Sequence, residues 1–219
     1  MKQMSIICVL FISFIFAQNH PNSVSTSNAI ARWDGEYPIV FSVFGDNYGM
    51  NSIFVSISQQ LSSLDTLLDF IITTGDHTAG GDSAGYAEYI SHIDSINIPW
   101  ITTMGNHEIN DSLGWDRFNE YFGYPDFFFD IGNARFIVLT NCYPADEVVS
   151  GTENVYYMFT SSQLDWLENL LADWDGYKFV FVHVPPYLQG HIIIGTLGSI
   201  GYSPDYDSCL TERFKNLLR

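Results

Sequence analysis

The sequence predicts an α/β domain with one main core. Short apolar runs of strand length alternate with stretches whose apolar residues fall at helical spacing, and no linker or internal repeat divides them. The runs also end alike, on Gly45-Asp46, Gly75-Asp76 and Gly105-Asn106, at equal thirty-residue intervals.

Taken in order, residues 1–17 are a different kind of sequence. Lys2 gives a positive start, Ser5 to Ala17 is apolar, and Ala17 offers a small residue before a polar stretch. This is the pattern of a secretory signal peptide. The run is short of the ~20 residues a membrane span needs, although an uncleaved anchor helix is the alternative. No cysteine stands at the cut to take a lipid, so no membrane association is expected after cleavage. The protein is expected to be secreted or periplasmic, leaving Cys142 and Cys209, whose pairing stays open.

Residues 18–36 are polar and are expected to be a mobile lead-in to a domain over 37–219. Tyr37–Phe44 reads as a strand, and Ile53, Phe54, Ile57, Leu61, Leu64 and Leu68 mark one face of a helix. Asp69–Thr74 and Ile98–Met104 read as strands, with a helix over Tyr86–Ile96 between them. Phe127–Thr140 reads as a hairpin turning at Ile131-Gly132-Asn133. A Thr-Ser-Ser cap opens a helix over Thr160–Ala172, Lys178–Val182 is a strand running into His183, and Leu210–Leu218 is a closing helix.

The composition narrows the partners. Eight Lys and Arg stand against 25 Asp and Glu, a formal net charge of -17, and no basic run of five or more residues exists, so no nucleic-acid binding by charge is expected. Such acidity suits a solvated surface in a salty medium or a collection of carboxylates for metal cations. Oligomeric state is not legible.

The chemistry should lie at the strand ends, because the carboxyl ends of strands line the ligand crevice of α/β sheets. Asp46, Asp76, Asn106, His107 and His183 all stand there. Carboxylate, amide carbonyl and imidazole together suit Mn, Fe or Zn. Each Gly-Asp alone is ordinary turn chemistry, and His183 alone is an ordinary edge histidine. Their order makes the pattern specific.

In that order, Gly45-Asp46, Gly75-Asp76, Gly105-Asn106-His107-Glu108 and Val182-His183-Val184-Pro185-Pro186-Tyr187 resemble the calcineurin-like metallophosphoesterases, which include the purple acid phosphatases. The hairpin around Gly132 and the helix start Ser162-Gln163-Leu164-Asp165-Trp166-Leu167 agree, so the resemblance spans about residues 37–219. It implies a β-sandwich core flanked by helices and built from βαβ units. It also implies that Asp76 bridges two divalent or trivalent ions (Fe, Mn or Zn), that Asp46 binds the first, and that Asn106 and His183 bind the second. His107 would stand beside the phosphate as a catalytic group and not a ligand. The implied activity is hydrolysis of phosphate mono- or diesters of a small molecule, by attack of a hydroxide bridging two ions ~3.5–4 Å apart.

Three departures limit the likeness. Tyr48 stands where many members have a histidine two residues after the first Asp, and Ala79 stands where purple acid phosphatases have a tyrosine. No Gly-His-x-His occurs, and the chain is expected to stop about 10–15 residues before it, with the last strand or strands missing. Candidate additional donors are Tyr48, His77 and His191. For Tyr48 a hydroxyl near substrate or plain packing competes, and for His191 a loop role does. Tyr48, Tyr187 and Tyr202 either flank a base or sugar or simply pack. The competing functional readings are a degenerate or truncated relative that binds phosphate and metal without efficient turnover, and an acidic secreted adhesion or structural domain.

Overall fold

Three strands ending on the glycine turns run side by side in one direction. In the computed structural model, which describes residues 20–110, 112–144, 155–185 and 208–219, β1 (Phe41–Phe44), β2 (Phe70–Thr73) and β3 (Trp100–Ile101) form a parallel sheet in that order. The crossovers are helices α2 (Ser52–Ser62) and α3 (Ser83–Ile93). Because the strands are parallel, the loops after them emerge at one edge. Sequence spacing in threes thereby becomes proximity in space.

A second sheet pairs β4 (Phe127–Ile131) antiparallel to β5 (Ala134–Val138), and β5 parallel to β8 (Tyr177–Phe181). Between these, β6 (Cys142–Pro144) and β7 (Val155–Tyr157) make a small antiparallel pair. The hairpin turn falls at Gly132-Asn133, as the sequence indicated.

The two larger sheets pack face to face. Phe70, Ile72 and Ile101 of the first meet Phe129, Ile131, Phe136 and Val138 of the second. Phe136 sits among aromatic neighbours, stacked on Phe129 at 5.0 Å and on Phe179 at 5.1 Å, and edge-on to Phe70 at 5.0 Å and Phe41 at 5.2 Å. All four residues of β2 are buried, alternating between two cores. Phe70 and Ile72 face the sandwich while Ile71 faces the helices. Outside the first sheet lie Phe54 of α2, Tyr86, Tyr89 and Ile93 of α3, and Phe118 and Phe122 of α4 (Gly114–Phe122). Outside the second lie Leu164, Leu167 and Leu170 of α5 (Ser161–Ala172), with Phe214 of α6 (Ser208–Leu217). The result is the helix-flanked sandwich that the sequence resemblance implied. Thr160 caps α5 in a reciprocal capping box with Gln163.

The polar segment 18–36 differs from expectation. Most of it is helix α1 (Pro21–Arg32), docked rather than loose. Asn22 is buried; its amide donates to the Thr102 carbonyl at 2.7 Å and accepts from the Thr102 N–H at 2.8 Å. Arg32 donates to the carbonyls of Leu68 and Asn97 at 2.9 Å each and pairs with Asp65. Asn22 occupies the backbone of Thr102, and the ladder of β3 covers only Trp100–Ile101 of the apolar stretch Ile98–Met104. The other edges shift as well: β1 is confined to Phe41–Phe44, and α2 stops at Ser62.

Cys142 is buried in β6, Cys209 is exposed on α6, and the two are not joined to one another. Among the described residues no helix is long and apolar enough to cross a membrane. The apolar leader 1–17, His191, Tyr187 and Tyr202 lie outside the described residues.

Candidate metal centre

The ladder between β1 and β2 continues into the loops. Asp46 N–H donates to the Gly75 carbonyl at 3.0 Å, Tyr48 N–H to Asp76 at 3.0 Å, and Gly49 N–H to His77 at 2.8 Å. Asp46, Tyr48 and Asp76 all have positive φ, at 58°, 49° and 59°. That region is tolerated by Asp and costly for Tyr, so backbone strain is concentrated here. Two glycines make the close approach feasible. A Cβ on Gly75 would lie 2.7 Å from both Gly105 Cα and His183 Nδ1, and one on Gly105 would run into Asp76 Oδ1.

Three of the expected ligands converge. Asp46, Asp76 and His183 offer ligand atoms that all lie within 4.8 Å of one another. Asn106 joins them, its Oδ1 2.9 Å from His183 Nε2, and Asp76 Oδ1 is 3.4 Å from the same nitrogen. His183 comes from the second sheet, two residues beyond β8, so the cluster spans the sandwich. Its Nδ1 donates to the Thr74 carbonyl at 2.7 Å, which fixes the ring and, in the neutral form, leaves the Nε2 lone pair facing two oxygens. Two carboxylates, an amide oxygen and a lone-pair nitrogen crowd one another unless a cation lies among them. The donor set therefore fits a metal ion.

His107 stands beside this cluster. Its backbone N–H donates to Asp76 Oδ1 at 2.9 Å, its Nδ1 donates to the Ala79 carbonyl at 2.9 Å, and its Nε2 lies 3.9 Å from Asp76 Oδ2. Tyr48 is half exposed and meets the His107 ring edge-on at 4.6 Å. Ala79 lacks the tyrosine side chain, yet its carbonyl holds the His107 tautomer.

His77, a candidate donor in the sequence, is placed elsewhere. It is wholly buried, stacked on Tyr89 at 5.0 Å, and its Nε2 donates to the Thr103 carbonyl at 2.7 Å. Burial pushes its imidazole below the ordinary histidine range, against the pull of Glu108. The bond to Thr103 and the stacking on Tyr89 hold His77 in the core, while Asp76 faces Asp46 and His183.

Glu108 had no assigned role in the sequence. It is fully buried, and its carboxylate accepts from the backbone N–H groups of Asp76 and Gly105 at 2.8 Å through Oε2. Through Oε1 it accepts from His77 at 2.8 Å and Thr78 at 3.3 Å.

A sandwich with four donors at its strand ends defines a class of metal-binding α/β protein. The calcineurin-like phosphoesterase family model matches residues 39–216, and the chain belongs to that family. Membership implies divalent metal ions at such a site. Among solved structures, a purple acid phosphatase from yellow lupin (Lupinus luteus) seeds is similar, at 16% identity over 65% of this chain and with a TM-score of 0.45. The chain spans 29% of that protein's length. A comparison with curated proteins found no match.

Proposed function

We propose that this protein is an exported phosphoesterase that hydrolyses phosphate mono- or diesters at a two-metal centre. The convergence of Asp46, Asp76, Asn106 and His183 at the strand ends carries the reading. Asp76 would bridge two ions of iron, manganese or zinc, Asp46 would hold the first, and Asn106 and His183 would hold the second. Such ions supply Lewis acidity to phosphate oxygens and lower the pKa of water.

The chain's own groups then divide the remaining work. Asp76 is held by the His107 N–H and shielded from solvent, so its carboxylate keeps one orientation. His183 is oriented by Thr74. With Nδ1 donating to Ala79, Nε2 is the ring nitrogen that faces the cluster, and it would pass a proton to a leaving group from the imidazolium form, returning to the neutral Nδ1–H tautomer. Export rests on the composition of residues 1–17, and the mass of the native protein tests it: a mature chain beginning near residue 18 is expected.

The deciding experiment supplies purified protein with Mn, Fe or Zn and follows 4-nitrophenol release from 4-nitrophenyl phosphate and its bis-ester. Turnover is expected, with Asp76→Asn slower by at least about 100-fold. Metal uptake by calorimetry without turnover on any ester would instead favour a binding relative. Neither uptake nor turnover would end the metal-site reading.

A further inference from the structure

We infer that Glu108 is a positioning residue whose buried carboxylate presets the metal-ligand loops before any ion binds. The inference rests on the metal-site reading above. Glu108 follows the His107 that stands beside the cluster, but its side chain turns inward and is 0% exposed. Its hydrogen-bond partners are four backbone N–H groups from two loops: Gly105 on its own loop, and Asp76, His77 and Thr78 on the loop after β2. Asp76 and Gly105 share Oε2, which ties the backbone of the bridging ligand to the glycine preceding Asn106.

A carboxylate is the side chain suited to this task. Ionised, it is acceptor-only on both oxygens, and each oxygen takes two donors. Glutamine has the same shape but offers one oxygen and an NH2 group. That group would face two N–H donors and leave buried backbone groups unsatisfied. The loop after β2 takes an uncommon backbone path, with Asp76 in the left-handed region at φ 59°. Such a path is kept where surrounding bonds fix it, and three of the four N–H bonds that Glu108 accepts come from this loop.

The test compares wild type with Glu108→Gln in two measurements: the thermal midpoint without metal, and the manganese dissociation constant by calorimetry at a temperature where each is folded. A purely structural role lowers the midpoint and leaves the affinity of the folded form alone. Positioning weakens manganese binding by about tenfold or more, the range seen when groups supporting metal ligands are removed. A change smaller than about threefold in a folded variant overturns the inference, and a larger one supports it. If the variant does not fold, amide exchange on the wild type decides. Gly105, Asp76 and His77 amides already protected without manganese support preset loops; protection gained only with manganese overturns them. Where wild type binds zinc or iron instead, that ion replaces manganese in both measurements, and wild type that binds none of the three overturns the metal-site reading itself and takes this inference with it.

Discussion

The two ring nitrogens of His107 have different employment, and its neighbours decide which does what. Nδ1 is spent on the Ala79 carbonyl, while Nε2 faces the cluster 3.9 Å from Asp76 Oδ2. Replacing the ring with His107→Asn should preserve manganese affinity and slow hydrolysis by about 10²–10⁴-fold. The loss should be larger for an alkyl phosphate than for 4-nitrophenyl phosphate, whose leaving group needs less protonation. Parallel turnover measurements on both esters check this, and an equal loss on both would remove the proton-donor role. Much of the site was legible at this scale, because Gly-Asn-His-Glu and the Gly-Asp pairs name the residues. The fates of His77 and Glu108 were not. Which way a side chain turns off a loop, and whether a carboxylate meets a cation or four N–H groups, depends on neighbours distant in sequence.

At the scale of elements, α1 is the clearest departure from the sequence reading. Its residues carry no apolar stripe to mark a helix face, and it is held by Pro21 near its start, buried Ala29, and the polar side chains Asn22 and Arg32. Asn22 pairs with both backbone groups of Thr102, as the next residue of a strand would. Asn22→Ala leaves two buried backbone groups without partners, at about 1–3 kcal/mol each before relaxation. Urea unfolding should show a loss of about 2 kcal/mol or more, and one under about 0.5 kcal/mol would mean that α1 is not held by this contact. By contrast, α5 was legible to within a residue, because a Thr cap, a Gln at the third helical position and leucines at helical spacing all act locally.

Across the whole molecule, pH acts through Asp126, which joins the start of β4 to the end of β5 and to α5. Its carboxylate accepts from the Thr140 N–H at 2.6 Å and from Gln163 Nε2 at 3.0 Å. Burial nevertheless pushes its pKa up to about 6, against the opposing pull of those bonds. With the folded value above the unfolded 3.8, the folded state binds the extra proton, so this contribution is complete below about pH 4 and is lost as pH rises through 6. An Asp126→Asn variant should gain on wild type by up to about 3 kcal/mol between pH 4 and 7.5. Urea unfolding at the two pH values measures the difference, and one that does not change with pH would dismiss the effect.

The sequence by itself determined the alternation of strands and helices, the glycine-marked strand ends and the family. These are local patterns: period two or 3.6 in the apolar residues, turn residues at fixed offsets, and short motifs in a fixed order. Only the tertiary structure decided that α1 is docked, that His77 belongs to the core, and that Glu108 holds two loops together. Each depends on contacts between segments far apart in the chain, such as Asn22 with Thr102 and His183 with Thr74. Burial and partner choice are properties of the packed chain, and no local pattern encodes them.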